Sequence, residues 1–453
     1  MVACSGLQFK TVYKKACFLL SGIWLSATMY AHADGMAFVD PRSAAMGGTG
    51  VASASLSSAA FFNPALLALP TGSEHIGVSF LGLSLHAADS SNYRTDYNNA
   101  RDLVNNTFPA VQNDIRQLQQ SSNPTAAQTT QLANDSQALL NGIVGFSGHD
   151  YTVAPDFMPV SVAIHNPLLS FGVFTNSQAD LVGRLNATAA DQNYLNGYIG
   201  FVRQLAQDQQ NGTTTGLYNS PYLQQGCLTG LTASSVAKCL SDPSQGRTSD
   251  IQVVGLATSE IGVALAENWS GWALGVSPKL MSVRTFFYDQ TVHANQSFSL
   301  SGSSKTYTTA NMDVGAARNF GWIWPLKVGV SVRNLIPEDF NTAVSNGQQY
   351  AVRIRPQVTA GGELHIPGVT LTSDLDLSRE YAPVAWGADS QFLGVGAEFS
   401  AWLVKLRLGV RQNLIQGPIR NEWTGGVALG PFDLGLVYSD HSAALAGGFS
   451  LNF

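Results

Sequence analysis

The sequence predicts an all-β transmembrane antiparallel β-barrel of about 14 strands with an N-terminal hatch or plug and helical extracellular insertions. Three observations predict it: period-two strands whose charges share one parity, connections that alternate between tight turns and long loops, and a distinctive composition. Only 12% of residues are charged and 44 are glycine, while the hydrophobic fraction is an ordinary 45%. Such a chain spreads its apolar side chains by alternation instead of massing them in helices.

Residues 1–33 read as a signal peptide: Lys10, Lys14 and Lys15, the apolar run Ala16 to Tyr30, then Ala31-His32-Ala33 in the small-x-small form of a cleavage site. The apolar run is shorter than the roughly twenty residues a spanning helix needs; a retained anchor is the alternative. The leader holds three lysines and no acids, so its removal moves the formal charge from −6 to −9. An acidic chain without basic runs is a poor nucleic-acid binder, because duplex binding runs on phosphate neutralisation by Lys and Arg. Cys4 and Cys17 leave with the leader. Cys227 and Cys239 remain, and in an exported polar segment they read as a loop disulfide. Neither CxxC spacing nor a histidine cluster suggests a metal, and no cofactor is expected.

Residues 34–74 contain "MGGTGVASASLSSAAFFNPA". This lacks the third glycine, the preceding strand and the following acid of a dinucleotide fingerprint. Small residues in a row allow close packing, and Met46, Val51, Leu56, Phe61, Phe62 and Leu66 are too many apolar groups for a free tail. The stretch therefore reads as a hatch inside the lumen of a barrel over 75–453.

Candidate strands lie near 75–86, 155–165, 169–179, 250–266, 271–285, 307–318, 323–334, 350–365, 368–379, 391–400, 403–412, 421–430, 432–440 and 443–453. In "PLKVGVSVRN", Leu326, Val328, Val330 and Val332 oppose Lys327, Ser331 and Arg333. In "YAVRIRPQVTA", Val352, Ile354 and Val358 oppose Arg353, Arg355 and Gln357. The pattern repeats with Leu375 against Asp374 and Asp376, with Val395 and Phe399 against Glu398, and with Leu406 and Leu408 against Lys405, Arg407 and Arg411. A soluble sandwich also alternates, but these runs of about nine to eleven residues suit a tilted bilayer crossing better than the usual five or six. Tight turns such as "ENWSG" and "HIPG" alternate with long loops, as in outer-membrane barrels with periplasmic termini. Within the lumen, Arg353, Arg355, Asp374, Asp376, Glu398, Lys405, Arg407 and Arg411 form an expected charge ladder. It reads as a brace for the wall, or as a polar patch for a substrate head group.

Two insertions, 87–152 and 180–248, carry amphipathic helices. Val104, Phe108, Val111, Ile115 and Leu118 recur at spacings of four and three residues, and "AAQTTQLANDSQALLNGI" and "LNGYIGFVRQLAQDQQ" follow. Such helices are expected to pack over the barrel mouth as a cap.

The stretch "RSAAMGGTGVASASLSSAAFFNPALLA" resembles the N-terminal signature of the FadL-type long-chain fatty-acid-transporter barrels of the outer membrane, and more closely their conjugal-transfer TraF-like branch. "TSDLDLS" and "LGVGAEFSAWLVKLRLGVRQN" resemble barrel strands of the same group. The resemblance implies a hatch ending in Asn63-Pro64-Ala65, with Met46-Gly47-Gly48 as its glycine element, inside a fourteen-stranded barrel. It implies a bacterial outer-membrane location, contact with outer-membrane lipid and passive transport of a hydrophobic small-molecule ligand; the acidic charge noted above leaves no direct nucleic acid as a partner. The other reading is a structural envelope component that presents its loops to conjugation or envelope proteins. An enzyme is not expected: Asp440, His441 and Ser442 are adjacent on an extended chain, where neighbours point to opposite faces, and read as a polar turn. His149-Asp150 reads the same way.

Overall fold

The computed structural model describes residues 39–70, 74–89, 98–99, 101–213, 220–224, 232–243, 248–291, 303–321, 325–380, 389–415 and 421–453. The expected signal peptide lies outside them.

Fourteen antiparallel strands close a barrel. They are β1 (Ile76–Asp89), β2 (Asp150–Ile164), β3 (Ser170–Asn186), β4 (Asp250–Trp269), β5 (Trp272–Thr291), β6 (Ser304–Gly321), β7 (Pro325–Arg333), β10 (Gln357–Ile366), β11 (Val369–Asp376), β12 (Phe392–Ala401), β13 (Val404–Asn413), β14 (Asn421–Leu429), β15 (Phe432–Tyr438) and β16 (Ser442–Asn452). Neighbours in sequence pair throughout, and β1 pairs with β16 to close the ring. Closure removes both edges, which a spanning sheet requires because lipid offers no hydrogen bonds to an unpaired backbone.

The wall is inside out relative to a soluble protein. On β13, Leu406 and Leu408 are 56% and 62% exposed, while Arg407 and Arg411 are 2% and 4% exposed. β15 alternates strictly, with Phe432, Leu434, Leu436 and Tyr438 outward and Asp433, Gly435 and Val437 inward. An outward apolar face with an inward charged one is the pattern of a lipid-facing barrel wall. Trp269, Trp272, Trp402, Phe399, Phe432 and Phe453 gather at the tight-turn end, an aromatic girdle. Ser270 and Gly271 both adopt positive φ, 52° and 82°, as a two-residue type I′ turn between β4 and β5 requires.

Wall height is uneven. β4 and β5 have 20 residues each and β15 has 7. A bilayer crossing takes about nine to eleven residues, and β3–β6 are far longer than that, extending on the long-loop side. One expected strand breaks in two. Residues 350–365 become β9 (Ala351–Ile354) and β10, and β9 pairs with β8 (Glu338–Asn341) in a separate two-stranded sheet. Arg355 and Pro356 interrupt the run, and Pro cannot supply a ladder N–H. This sheet folds back onto the tall wall: Phe340, Val352 and Ile354 bury against Val254, Met281 and Phe287. The hydroxyls of Thr285 and Tyr307 donate to the Asn341 carbonyl at 3.1 and 2.7 Å.

The insertions form a bundle of α3 (Phe108–Gln120), α4 (Ala126–Phe146), α5 (Ala189–Asn211) and the short α6 (Ala233–Ala237); α1 and α2 belong to the plug below. A capping box starts α4, with Thr125 and Gln128 exchanging bonds. The stripe residues Phe108, Val111, Ile115 and Leu118 are buried against Leu132, Tyr198 and Val202. Among the described residues no barrel residue contributes to this core, so the helices pack on one another, and the β8–β9 sheet packs against the inner face of the tall wall. The bundle joins the barrel beside the outer ends of β2, β3 and β4. There Asp191 accepts from the amides of Thr248 and Ser249 at 2.9 and 2.7 Å. Burial alone would raise its pKa, but these bonds and the Ser249 hydroxyl hold it below the usual value.

The plugged lumen as candidate functional site

Residues 39–70 lie inside the barrel as α1 (Pro41–Ala45), α2 (Leu56–Phe62) and a 3₁₀ turn, Pro64–Ala68. Asp40 caps α1 through the Arg42 amide, and Pro41 stands at the first helical position, where its missing N–H costs nothing. α2 packs Phe61 edge-on against Phe62 and against Phe174 of β3, over Leu66, Leu67 and Met158.

The plug is seated on glycines of the inner wall. A Cβ at Gly275 would lie 2.4 Å from the Ala65 nitrogen, one at Gly396 2.5 Å from the Met46 oxygen, and one at Gly394 2.2 Å from the Gly47 oxygen. Conversely, a Cβ on Gly47 would come within 2.6 Å of the Val410 oxygen. Backbone therefore meets backbone, which explains why the inward parity carries glycine at these heights.

Polar bonds fix the register. Asn63 donates to the Val51 carbonyl at 2.8 Å, accepts from the Ala65 amide at 3.1 Å and reaches the Ala316 carbonyl of β6 at 3.4 Å. Gly47 N–H donates to the Thr424 hydroxyl at 2.9 Å. Asp374 accepts from the Gly50 and Val51 amides at 2.7 and 2.8 Å. Met46 and Pro64 complete the close contacts and are buried, while Gly48 is partly exposed.

Around the plug the wall is charged and paired. Glu398 binds Arg407 at 2.7 Å and Arg42 of the plug at 3.0 Å, while Lys405 stands 4.0 Å away and half-exposed. Arg407 also bonds Asp433. Arg411 pairs with Glu422 at 3.4 Å, not with Glu398, and lies over the Phe392 ring. Lys279 sits between Glu260 and Asp313, 3.0 Å from each, and Lys327 binds Glu363 at 2.8 Å. Removing one member of such a buried pair costs about 3–5 kcal/mol.

Several expected positions fall elsewhere. Arg353 is an exposed residue of β9, and Arg355 binds Asp339 at 2.6 Å in the β8–β9 sheet. Neither belongs to the barrel wall beside Asp374 and Asp376, because the strand breaks before the wall begins. Asp376 instead accepts from the Thr359 hydroxyl at 2.9 Å. Cys239 is disulfide-bonded, and Cys227 lies outside the described residues. At 440–442 the amides of His441 and Ser442 donate to the Ser439 hydroxyl, making a polar turn, and Asp150 pairs with Arg184 at 2.7 Å. Glu260, Lys279, Asp313 and Glu422 were not singled out in the sequence. The inward parity of β4, β5, β6 and β14 marks them, whereas Arg42 lies in an aperiodic segment with no such signal.

Among the described residues, two narrow polar cavities border the plug and the wall above it. One, of about 40 Å³, is lined by Gly47, Gly48, Asp374, Asp376, Phe392 and Arg411. The other, of about 30 Å³, is lined by Glu260, Arg333, Arg353, Arg355 and Arg379. Gln357 and Glu380 border both. A cavity that takes up benzene is on the order of 150 Å³, so neither of these two admits a hydrocarbon without movement. Among the described residues no group of three or more His, Cys, Asp or Glu is arranged to hold a metal.

Residues 60–376 match the family described as "F plasmid transfer operon, TraF, protein". No curated protein matches the chain. Solved structures that resemble it include the Ralstonia pickettii toluene transporter TbuX, with 13% identity and a TM-score of 0.47 over 92% of this chain and 99% of that one. The P. putida toluene transporter TodX has 10% identity and a TM-score of 0.46 over 92% and 99%. A Pseudomonas aeruginosa FadL homologue has 12% identity and a TM-score of 0.35 over 91% and 97%. The family match spans well over half of the sequence, and the chain belongs to the family of the F plasmid transfer operon protein TraF.

Proposed function

We propose that this protein is a passive outer-membrane channel for small hydrophobic molecules, gated by the plug. One observation carries the reading: the inner face of the tall wall changes character with height. Near the plug it presents Glu260, Lys279 and Asp313; toward the outer rim the same inward parity presents Val254, Leu256, Met281, Val283 and Phe287. A fully hydrated vestibule has no use for such a strip, since each exposed Val, Leu or Phe forfeits about 1.5–3 kcal/mol of burial. The β8–β9 sheet now covers it, and a guest that replaced Phe340, Val352 and Ile354 would recover the same contacts. Exit then requires the plug to shift near Gly47 and Gly48, where the lower cavity meets it. The test is flux of a labelled small hydrocarbon into proteoliposomes. Uptake that rises when β8–β9 is shortened supports the channel; uptake equal to that of protein-free vesicles refutes it.

The second reading, a structural component of a conjugative transfer apparatus, is favoured by family membership and by the helical bundle with its own core. Purification from native membrane separates the two. Co-purifying hydrocarbon or lipid identified by mass spectrometry supports the channel, and co-purifying envelope proteins with an empty lumen support the scaffold.

A further inference from the structure

The upper polar cavity carries more guanidinium than carboxylate: Arg333, Arg353, Arg355 and Arg379 face Glu260 and Glu380. Glu260 is already engaged by Lys279 at 3.0 Å. Arg355 and Arg379 have acids of their own, Asp339 and Asp389, at 2.6 and 3.5 Å. Arg353 forms no ion pair among the described residues.

Arg333 is the informative member. It is 4% exposed, its nearest carboxylate oxygen is 3.8 Å away, and its Nε–H is buried without an acceptor. Its guanidinium lies over the Phe61 ring at 4.6 Å, which holds the plane in place. Buried donors of this kind are rarely left unpaired in a native protein. A planar donor fork with an open Nε–H suits an oxygen anion, which accepts two parallel bonds.

We infer that this cavity binds a compact oxyanionic group, on Arg333 with Arg353 at the rim. The cavity admits the leading oxygens of such a group, the remainder standing at its mouth, and excludes a chain. The group is a free phosphate- or sulfate-like ion, or the anionic head of a molecule whose remainder lies outside the cavity. Because Arg333 rests on Phe61, the occupant is in register with α2 of the plug. This site does not depend on hydrocarbon passage, and anion binding is read out separately from the flux measurement above.

Calorimetry on the full chain in detergent, at constant ionic strength in chloride, tests it with sodium phosphate, sodium sulfate and butyl phosphate. Saturable binding of the inorganic ions assigns a free anion, and saturable binding of butyl phosphate alone assigns a head group; both support the site. Arg353→Gln, an exposed substitution that leaves the wall intact, weakens binding at least five-fold, and Arg333→Gln removes it. Arg184→Gln, whose partner Asp150 lies outside the cavity, leaves binding unchanged. Absence of saturable heat with all three probes, or equal affinity in wild type and Arg353→Gln, overturns the inference.

Discussion

Gly47 combines two constraints that no other residue type meets. Its φ is +72°, and any Cβ would press on the Val410 and Val395 carbonyl oxygens at 2.6 and 2.7 Å. Left-handed backbone costs a non-glycine residue about 1–3 kcal/mol, and here both oxygens belong to a rigid ladder. Gly47→Ala is therefore expected to lift the plug from its seat, lowering the thermal midpoint in detergent and raising single-channel conductance in planar bilayers. Unchanged conductance would show that the seat tolerates the methyl. Asp374 offers a second test. Its carboxylate accepts two plug amides, and bonds to a charged acceptor contribute about 1.5–3 kcal/mol. Asp374→Asn should speed hydrogen exchange at Gly50 and Val51 while the barrel strands keep their protection; uniform loss across the barrel would point to the wall instead.

A strand in this barrel is legible because its two faces meet opposite solvents. Leu436 is 58% exposed on β15, and an Arg there would face acyl chains at about 2–4 kcal/mol near the midplane. Leu436→Arg is expected to lower the unfolding free energy in lipid vesicles by that amount and to matter little in detergent micelles that adapt around the charge. A null result in vesicles would place the bilayer elsewhere. Helices follow a different rule. On α3, burial, a hydrogen bond with Asp135 of α4 and that residue's charge together push Asp114 up to about 7. The folded bundle thus binds a proton more tightly than the unfolded chain, whose reference is 3.8. Stability linked to Asp114 is fully present below about pH 4 and is lost as pH rises through 7. Asp135→Asn should flatten that dependence; helix-resolved hydrogen exchange at pH 5 and pH 8 is the measurement, and identical slopes in both proteins would remove Asp114 from the account.

At the scale of the molecule, bundle and barrel have separate cores. Replacing residues 101–146 and 189–247 by short flexible linkers is accordingly expected to leave a folded, heat-modifiable barrel with hydrocarbon flux unchanged, while any partner bound by the bundle is lost. A variant that fails to assemble would show that the insertions contribute to folding despite their independent packing.

The sequence by itself determined the number of crossing strands, their side-to-side alternation and the residues that cannot face lipid, because a period of two and a charge penalty act locally. It also showed that 34–74 is too apolar for a free tail. The tertiary structure alone decided which charges meet. Glu398 is held by Arg42, a plug residue 356 positions away; Arg353 and Arg355 leave the wall because the chain breaks at Pro356; and the helices of the two insertions share one core. These outcomes depend on how a closed ring brings distant segments to one height inside the lumen, and periodicity along the chain contains no information about height.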